Sequence, residues 1–306
     1  MVAYLLRRVL QAVVSLLAVS VIIFGLTRLS GDPTMKMLDS DSRPEDVALV
    51  RKAWGLDRSL PVQYFTYMGN IFRGNFGESL LFPGQDAGAL VASRLPATLE
   101  LALASLSVAA LVALPIGVLA AVKRGSIFDK GANLIALLGQ SVPTFWFGIV
   151  LMWMLSVQFQ LLPTSGRGGL DHLILPAVTY GLFPVAALSR LLRSSMLDVL
   201  DSEYVKLARI KGIPEWKVIW KHCLRNASLA PLTYFGLIVA GAITGSVVIE
   251  TVFAWPGVGQ LSIQAVTNRD FPLVQTIVLF FATTYIGATL VLDLLYGFLD
   301  PRIRLR

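Results

Sequence analysis

GANLIALLGQSVPTFWFGIVLMWMLSVQFQLLPTSG, residues 131–166, contains no Asp, Glu, Lys or Arg. A stretch this long and this free of charge has no place in a water-soluble domain, but it satisfies the length of a bilayer-spanning helix, about 20 residues. The whole chain follows it: of 306 residues, 55% are hydrophobic and 15% charged, against about 25% charged in soluble domains. The class is therefore polytopic membrane protein. Alternation of polar and apolar residues, the mark of a transmembrane barrel, is absent, so helices are the spanning element.

Outward from that stretch, the sequence predicts six spans, at about 9–29, 99–122, 134–158, 174–193, 229–250 and 275–297. The first follows Arg7 and Arg8 and lacks an A-x-A cleavage pattern, so a retained span is expected over a cleaved signal. Pro115, Pro143, Pro176 and Pro184 lie in or at spans and predict bends. With the N-terminus inside, the cytoplasmic segments hold Arg7, Arg8, Lys123, Arg124, Lys130, the basic residues from Arg190 to Arg225, and Arg302, Arg304 and Arg306. That is 16 Lys and Arg, against Arg167 and Arg269 in the two short outer loops. The bias fixes both termini inside. Residues 30–98 then form the one sizeable extracytoplasmic segment, expected to pack as helices and loops on the outer ends of the spans.

Several classes are excluded by what the sequence lacks. There is one cysteine, Cys223, and two histidines, His172 and His222, on separate segments. No disulfide, His-based metal centre, Gly-Lys phosphate loop or HExxH motif is available. Glu100, Arg190, Glu250 and Asp293 are expected near span ends, leaving no mid-membrane ionisable relay. If the chain drives uphill transport, the energy comes from another protein. Within the fifth span, Gly241 and Gly245 have the spacing that lets a second helix approach closely. Internal packing and a subunit interface or mobile pore helix are both open for them.

One charged stretch stands between two apolar ones: EYVKLARIKGIPEWKVIWKHCLRN, Glu203–Asn226. Tyr204, Val205, Leu207, Ala208 and Ile210 suit a helix ending at Lys211. Gly212 is a natural cap because glycine accepts a positive φ. Pro214 and Glu215 suit the first turn of a second helix, on which Trp216, Ile219, Trp220, Cys223 and Leu224 form an apolar stripe. The pattern is helix, tight glycine turn, helix. Spans on both sides exclude a DNA-binding helix-turn-helix. A basic loop on anionic lipid accounts for the charges but not for the turn. A docking element accounts for both and supplies an entry point for energy.

These residues resemble the cytoplasmic loop of ABC importer permeases, in the form of the dipeptide, oligopeptide and nickel branch. The resemblance covers nearly the whole chain. It is carried by YLLRRVLQ at the start, Gly31-Asp32-Pro33, WGLDRSLPVQYFTYMGNIFRGNFGES, RLPATLELALAS, SVPTFWFGIVL, LRSSMLDVL, ETVFAWPGVGQL, NRDFPLVQ and DLLYGFLDPRIR, in family order. One departure stands out. Ala208 fits the last Ala of the general Glu-Ala-Ala loop opening, but Lys206 falls where the Glu belongs and Leu207 where the first Ala belongs, with Glu203 three residues earlier.

The resemblance implies an all-α, type I importer permease fold. It implies a first helix over 1–29, an extracytoplasmic segment 30–98 and a core permease domain 99–306, with a cytoplasmic coupling loop at 198–226. It implies a non-catalytic translocation subunit in the bacterial inner membrane, binding no cofactor itself. ATP and Mg belong to two partner ATPase subunits; a paralogous permease and an extracytoplasmic solute-binding protein complete the complex, and no nucleic acid is involved. The ATPase-facing residues are then expected among Glu203, Tyr204, Ala208, Lys211, Gly212, Ile213, Pro214, Glu215, Trp216, Arg225 and Asn226. Trp216, Ile219 and Trp220 face either the ATPase or the underside of the spans. Trp255, Pro256, Gly257 and Gly259 form either an extracytoplasmic gate, a contact for the binding protein, or a plain outer loop. Dipeptides or oligopeptides are the expected cargo, with glutathione and nickel as competitors and a stand-alone channel or carrier as the different-class alternative.

Overall fold

The computed structural model describes residues 2–31 and 44–299. Asp32, Pro33, Arg302, Arg304 and Arg306 lie outside the described residues. Along the chain the helices are α1 Val2–Leu29, α2 Pro44–Ala53, α3 Leu60–Phe72, α4 Ala87–Val122, α5 Ile127–Ser141 and α6 Thr144–Met152, which widens into a π turn at Trp153–Gln158. Then follow α7 Leu170–Leu200, α8 Glu203–Ile210, α9 Glu215–Ala227, α10 Leu229–Ile243, α11 Val247–Val252, α12 Val258–Thr267 and α13 Phe271–Leu299. Among the described residues the single β feature is a bridge between Glu78 and Asp86.

Four helices are long and apolar enough to cross a bilayer: Leu6–Leu29, Ala87–Val122, Leu170–Leu200 and Phe271–Asp293. Two bent pairs raise the number to six if each counts as one span. The chain is thus a multi-pass, all-α membrane protein. The opening stretch is one of the bent pairs: α5 and α6 meet at 104°. Pro143 has no N–H to donate and pushes Val142 into an extended conformation (φ −81°, ψ 128°), which ends α5. Pro176 and Pro184, by contrast, sit inside the continuous helix α7. In the second pair, α9 and α10 meet at 57°. Glu215, Lys217, Lys221 and Arg225 make α9 charged, so only α10 suits the hydrocarbon.

The fifth expected span, 229–250, is broken. α10 ends at Ile243, Gly245 takes φ +83°, and Ser246 caps α11 by accepting from the Ile249 amide. Gly241 and Gly245 therefore do not share one helix face, and no atom lies within 4 Å of a Cβ built on Gly241. Glu250, expected near a span end, is fully buried in α11.

Two compact units divide the chain, residues 1–98 with 256–306, and residues 99–255. In the first, α1 lies along α13. Arg8 pairs with Asp293 at 2.9 Å, and Gln275 Nε2 donates to Thr27 Oγ1 at 2.6 Å. Asp270, buried, accepts from the Leu273 and Leu81 amides and from the Ser79 hydroxyl, which starts α13 and ties the 79–82 loop to it. In the second unit, α7 packs against α4, α5, α6 and α10. Glycines permit the closest approaches: a Cβ at Gly117 would meet the Ser189 carbonyl at 2.8 Å, and one at Gly181 the Ser105 carbonyl at 3.1 Å.

Candidate functional site

The charged hairpin of α8 and α9 sits in the second unit. α8 buries Val205 and Ala208, three residues apart, and exposes Tyr204, Leu207 and Ile210. Its end is a Schellman motif. Gly212, at φ +74°, donates its amide to the Arg209 carbonyl at 2.9 Å, and Ile213 donates to the Ala208 carbonyl at 3.2 Å. Ile213 then packs on the cluster that contains Ala208, the apolar contact typical of this cap. No atom lies within 4 Å of a Cβ built on Gly212. The glycine is thus demanded by its backbone conformation alone, at an open tip.

Pro214 caps α9 rather than opening its first turn. After Lys217 the helix widens into a π turn, Val218–Cys223. Widening changes the angular step per residue, so the stripe expected from α-helical spacing is replaced. The buried face is Val218, Cys223 and Ala227; Ile219 and Leu224 are partly buried; Trp216 and Trp220 are exposed, at 62% and 42%. Lys217 Nζ lies 5.5 Å from the centre of the Trp216 ring. Of the three residues left open between partner and spans, the two tryptophans face outward and Ile219 faces the seat.

That seat is one apolar cluster. Val118 and Ala121 of α4 and Leu192 and Met196 of α7 meet Val205, Ala208, Val218, Cys223 and Ala227 of the hairpin. Burying Val118, Leu192, Met196, Val205 and Val218, each typically giving on the order of 1.5–3 kcal/mol, together with the smaller alanines and Cys223, makes the hairpin a solid extension of α4 and α7. Burial pushes the Cys223 thiol pKa up, keeping it neutral.

Two polar clasps close the hairpin. Near the tip, Arg209 donates two hydrogen bonds to Glu215, at 2.8 and 3.2 Å. Those bonds hold the Glu215 carboxyl below the usual carboxylate range and the guanidinium further up. At the base, Asn226 Nδ2 donates to Tyr204 Oη at 2.7 Å. Glu203 pairs with its neighbour Lys206 at 2.7 Å on the exposed face. Lys211 and Arg225 are exposed. The outer surface of the hairpin therefore combines large apolar side chains (Ile210 is 81% exposed) with a basic rim, the composition of a protein-contact surface.

Sequence reasoning missed one anchoring pair. Asp129, 4% exposed at the start of α5, accepts from Arg193 Nη2 at 2.8 Å, from Asn133 Nδ2 at 2.8 Å and from the Gly125 amide at 2.9 Å. Ser126 caps the same helix by accepting from the Asp129 amide. Arg193 is adjacent in sequence to Leu192 of the seat. The Ser-x-x-Asp spacing of residues 126–129 was the available signal.

The other expected contact region folds inward. Phe253 and Trp255 are 1% and 0% exposed, and Gly257 and Gly259 are buried; Pro256 and Gln260 are partly open and Ala254 is exposed. Phe253 covers Gly148, where an added Cβ would lie 3.2 Å from the ring, and its carbonyl accepts from the Gly166 amide at 2.8 Å. Ala254 takes φ +47° in this corner. Val258 donates its amide to Thr98 Oγ1 at 2.8 Å. These side chains hold the fold. Among the described residues, no group of three or more His, Cys, Asp or Glu is placed to hold a metal.

The sequence pattern of the binding-protein-dependent transport system inner membrane component matches residues 113–305, and that of its N-terminal region matches residues 1–102. The chain is 37% identical to the oligopeptide transport system permease protein AppB of Bacillus subtilis, over 99% of both chains. It is 38% identical to the di/tripeptide transport system permease protein DppB of Pseudomonas aeruginosa and 37% identical to the dipeptide transport system permease protein DppB of Escherichia coli K12. Both of these also match over 99% of each chain.

Proposed function

This chain belongs to the family of binding-protein-dependent transport inner membrane components, the permeases of ABC importers, and on that premise we propose that it imports di- or oligopeptides across the bacterial inner membrane. ATPase and substrate-binding partners follow from the family. The finer assignment is a complex of this chain with a paralogous permease, two ATPase subunits and one solute-binding protein. ATP and Mg sit on the ATPases, and this chain performs no catalysis.

The observation that carries the reading is the hairpin's division into a buried seat and an outward apolar-basic face. A lever needs such a division. The face meets an ATPase, and the seat passes displacement of the hairpin to α4 and α7 as one body. Gly212 and Pro214 shape the tip, with Lys211 and Trp216 beside it, while Glu203 and Arg225 lie at the base. Closure of the ATPase pair moves the hairpin, the spans alternate between outward- and inward-facing forms, and the binding protein's solute passes through. The hairpin can drive this only through contacts that differ between the two states. Residues 99–306 act as the translocation core, with 198–226 as the coupling loop.

The test is uptake of a labelled dipeptide into vesicles holding the complex, with binding protein outside and ATP inside. ATP- and binding-protein-dependent uptake is expected. Flux through this chain alone without ATP would replace the reading with a channel or carrier. Uptake of nickel or glutathione in place of peptide would keep the permease and change the cargo.

A further inference from the structure

Two rungs between α1 and α13 give the first unit a depth scale. Arg8–Asp293 and Thr27–Gln275 are 19 residues apart on α1, or about 28 Å at 1.5 Å per residue. That matches the roughly 30 Å hydrocarbon core. With the first rung taken as its inner edge and the second as its outer edge, the pair sets a depth scale.

Against that scale, side chains of α3 reach below the outer edge. Tyr64 Oη and Ser20 Oγ are 2.8 Å apart, and the Phe24 ring packs 5.5 Å from Tyr64 and 5.8 Å from Tyr67. Ser20 is seven residues inside Thr27, about 10 Å below the outer edge. α3 carries no Asp, Glu, Lys or Arg between Leu60 and Phe72, and none of its residues is buried. Leu60, Val62, Phe65 and Phe72 are exposed, the last at 81%. Beside it, a groove of about 740 Å³ is lined almost wholly by apolar side chains, among them Val13 and Leu17 of α1, Met68 and Phe72 of α3, Leu95 of α4 and Phe280 of α13.

We propose that α3 is immersed in the outer leaflet and that this groove takes an acyl chain of a phospholipid. Depth decides the occupant. At this level below the outer edge, the medium around α1 and α13 is hydrocarbon, and an uncharged helix with outward Phe and Leu side chains gains free energy there. Extracytoplasmic by topology, α3 is a helix that lies within the membrane without crossing it. The inference rests on α1 spanning the bilayer and is independent of the cargo.

The test uses the assembled importer in phosphatidylethanolamine–phosphatidylglycerol vesicles with part of the acyl chains brominated at mid-chain. An environment-sensitive fluorophore is attached through Phe65→Cys or, separately, Phe72→Cys; both positions are exposed, and native Cys223 is buried. Val14→Cys on α1 reports hydrocarbon and Gln85→Cys reports water. Quenching by brominated chains at both α3 positions within about twofold of Val14→Cys, with little quenching by iodide, is the result expected of an immersed helix. Quenching by iodide as at Gln85→Cys overturns the proposal. Protection from both quenchers overturns it too, and assigns the face to another subunit. For the groove, Ala92→Trp fills the space, and native mass spectrometry should show about one fewer retained phospholipid per complex. Unchanged lipid retention would remove the groove from the proposal.

Discussion

Two segments of this chain combine tryptophan, proline and glycine around a turn, and they fold in opposite senses. In Glu203–Asn226, Trp216 and Trp220 stand outward while small and branched residues, Val205, Ala208, Val218, Cys223 and Ala227, fill the interface with α4 and α7. In Phe253–Leu261, the aromatic pair Phe253 and Trp255 is the interior, and Gly148 leaves the space that Phe253 fills. A turn rich in such residues therefore does not announce a contact surface. What separates the two is whether another group of the same unit already satisfies the apolar core beneath. The hairpin's seat is complete without its tryptophans, so they remain available to a partner.

Truncation of the two tryptophans should have the most unequal effects. Trp255→Ala should cost about 3–5 kcal/mol, as other core aromatics do, seen as a large drop in folded, detergent-extractable complex. Trp216→Ala should leave folding within about 0.5 kcal/mol while weakening co-purification of the ATPases. Equal effects on folding from both would erase the distinction.

Next in size is the anchor beside the seat. Arg193→Met leaves Asp129 buried without its cation and should destabilise by about 3 kcal/mol, read as a lowered melting temperature of the complex. A shift no larger than that of an exposed-pair variant would mean that the Asn133 and Gly125 donors suffice.

The tip tests conformation against crowding. Gly212→Val places a β-branched residue in the left-handed region and should cost about 1–2 kcal/mol locally, with strongly reduced uptake and ATPase association but normal membrane insertion. Gly212→Asn, which tolerates that region, should retain most uptake. If both fail alike, the side chain and not φ is the obstacle, and the tip is closely covered in the complex.

The smallest effect belongs to Arg209→Gln. The Arg209–Glu215 clasp is exposed, so its loss should cost under about 1 kcal/mol and less at high salt. Because Glu215 titrates lower in the folded chain, its contribution is present above the ordinary carboxylate range and fades as acid carries the pH down through the folded value. Melting curves at neutral and acid pH should therefore differ less in Arg209→Gln than in the native chain.

Charge-free runs, the positive residues between them and the turn chemistry at Gly212 are local properties, and they sufficed for the membrane class, the hairpin and its tip. Proline breaks were legible only in part: Pro143 ends a helix at a 104° bend, whereas Pro176 and Pro184 are absorbed within α7. A proline's own geometry is local, but whether the helix resumes depends on what packs around it. Tertiary structure alone decided the rest. It widened α9 into a π turn after Lys217, left Trp216 and Trp220 exposed, and split α10 from α11 at Gly245. It sank Glu250 and Trp255 into the interior, joined Asp129 to Arg193 across 64 residues, and brought Tyr64 of α3 against Ser20. Each of these depends on which distant side chain occupies the space next to a residue, and no local pattern in one chain carries that information.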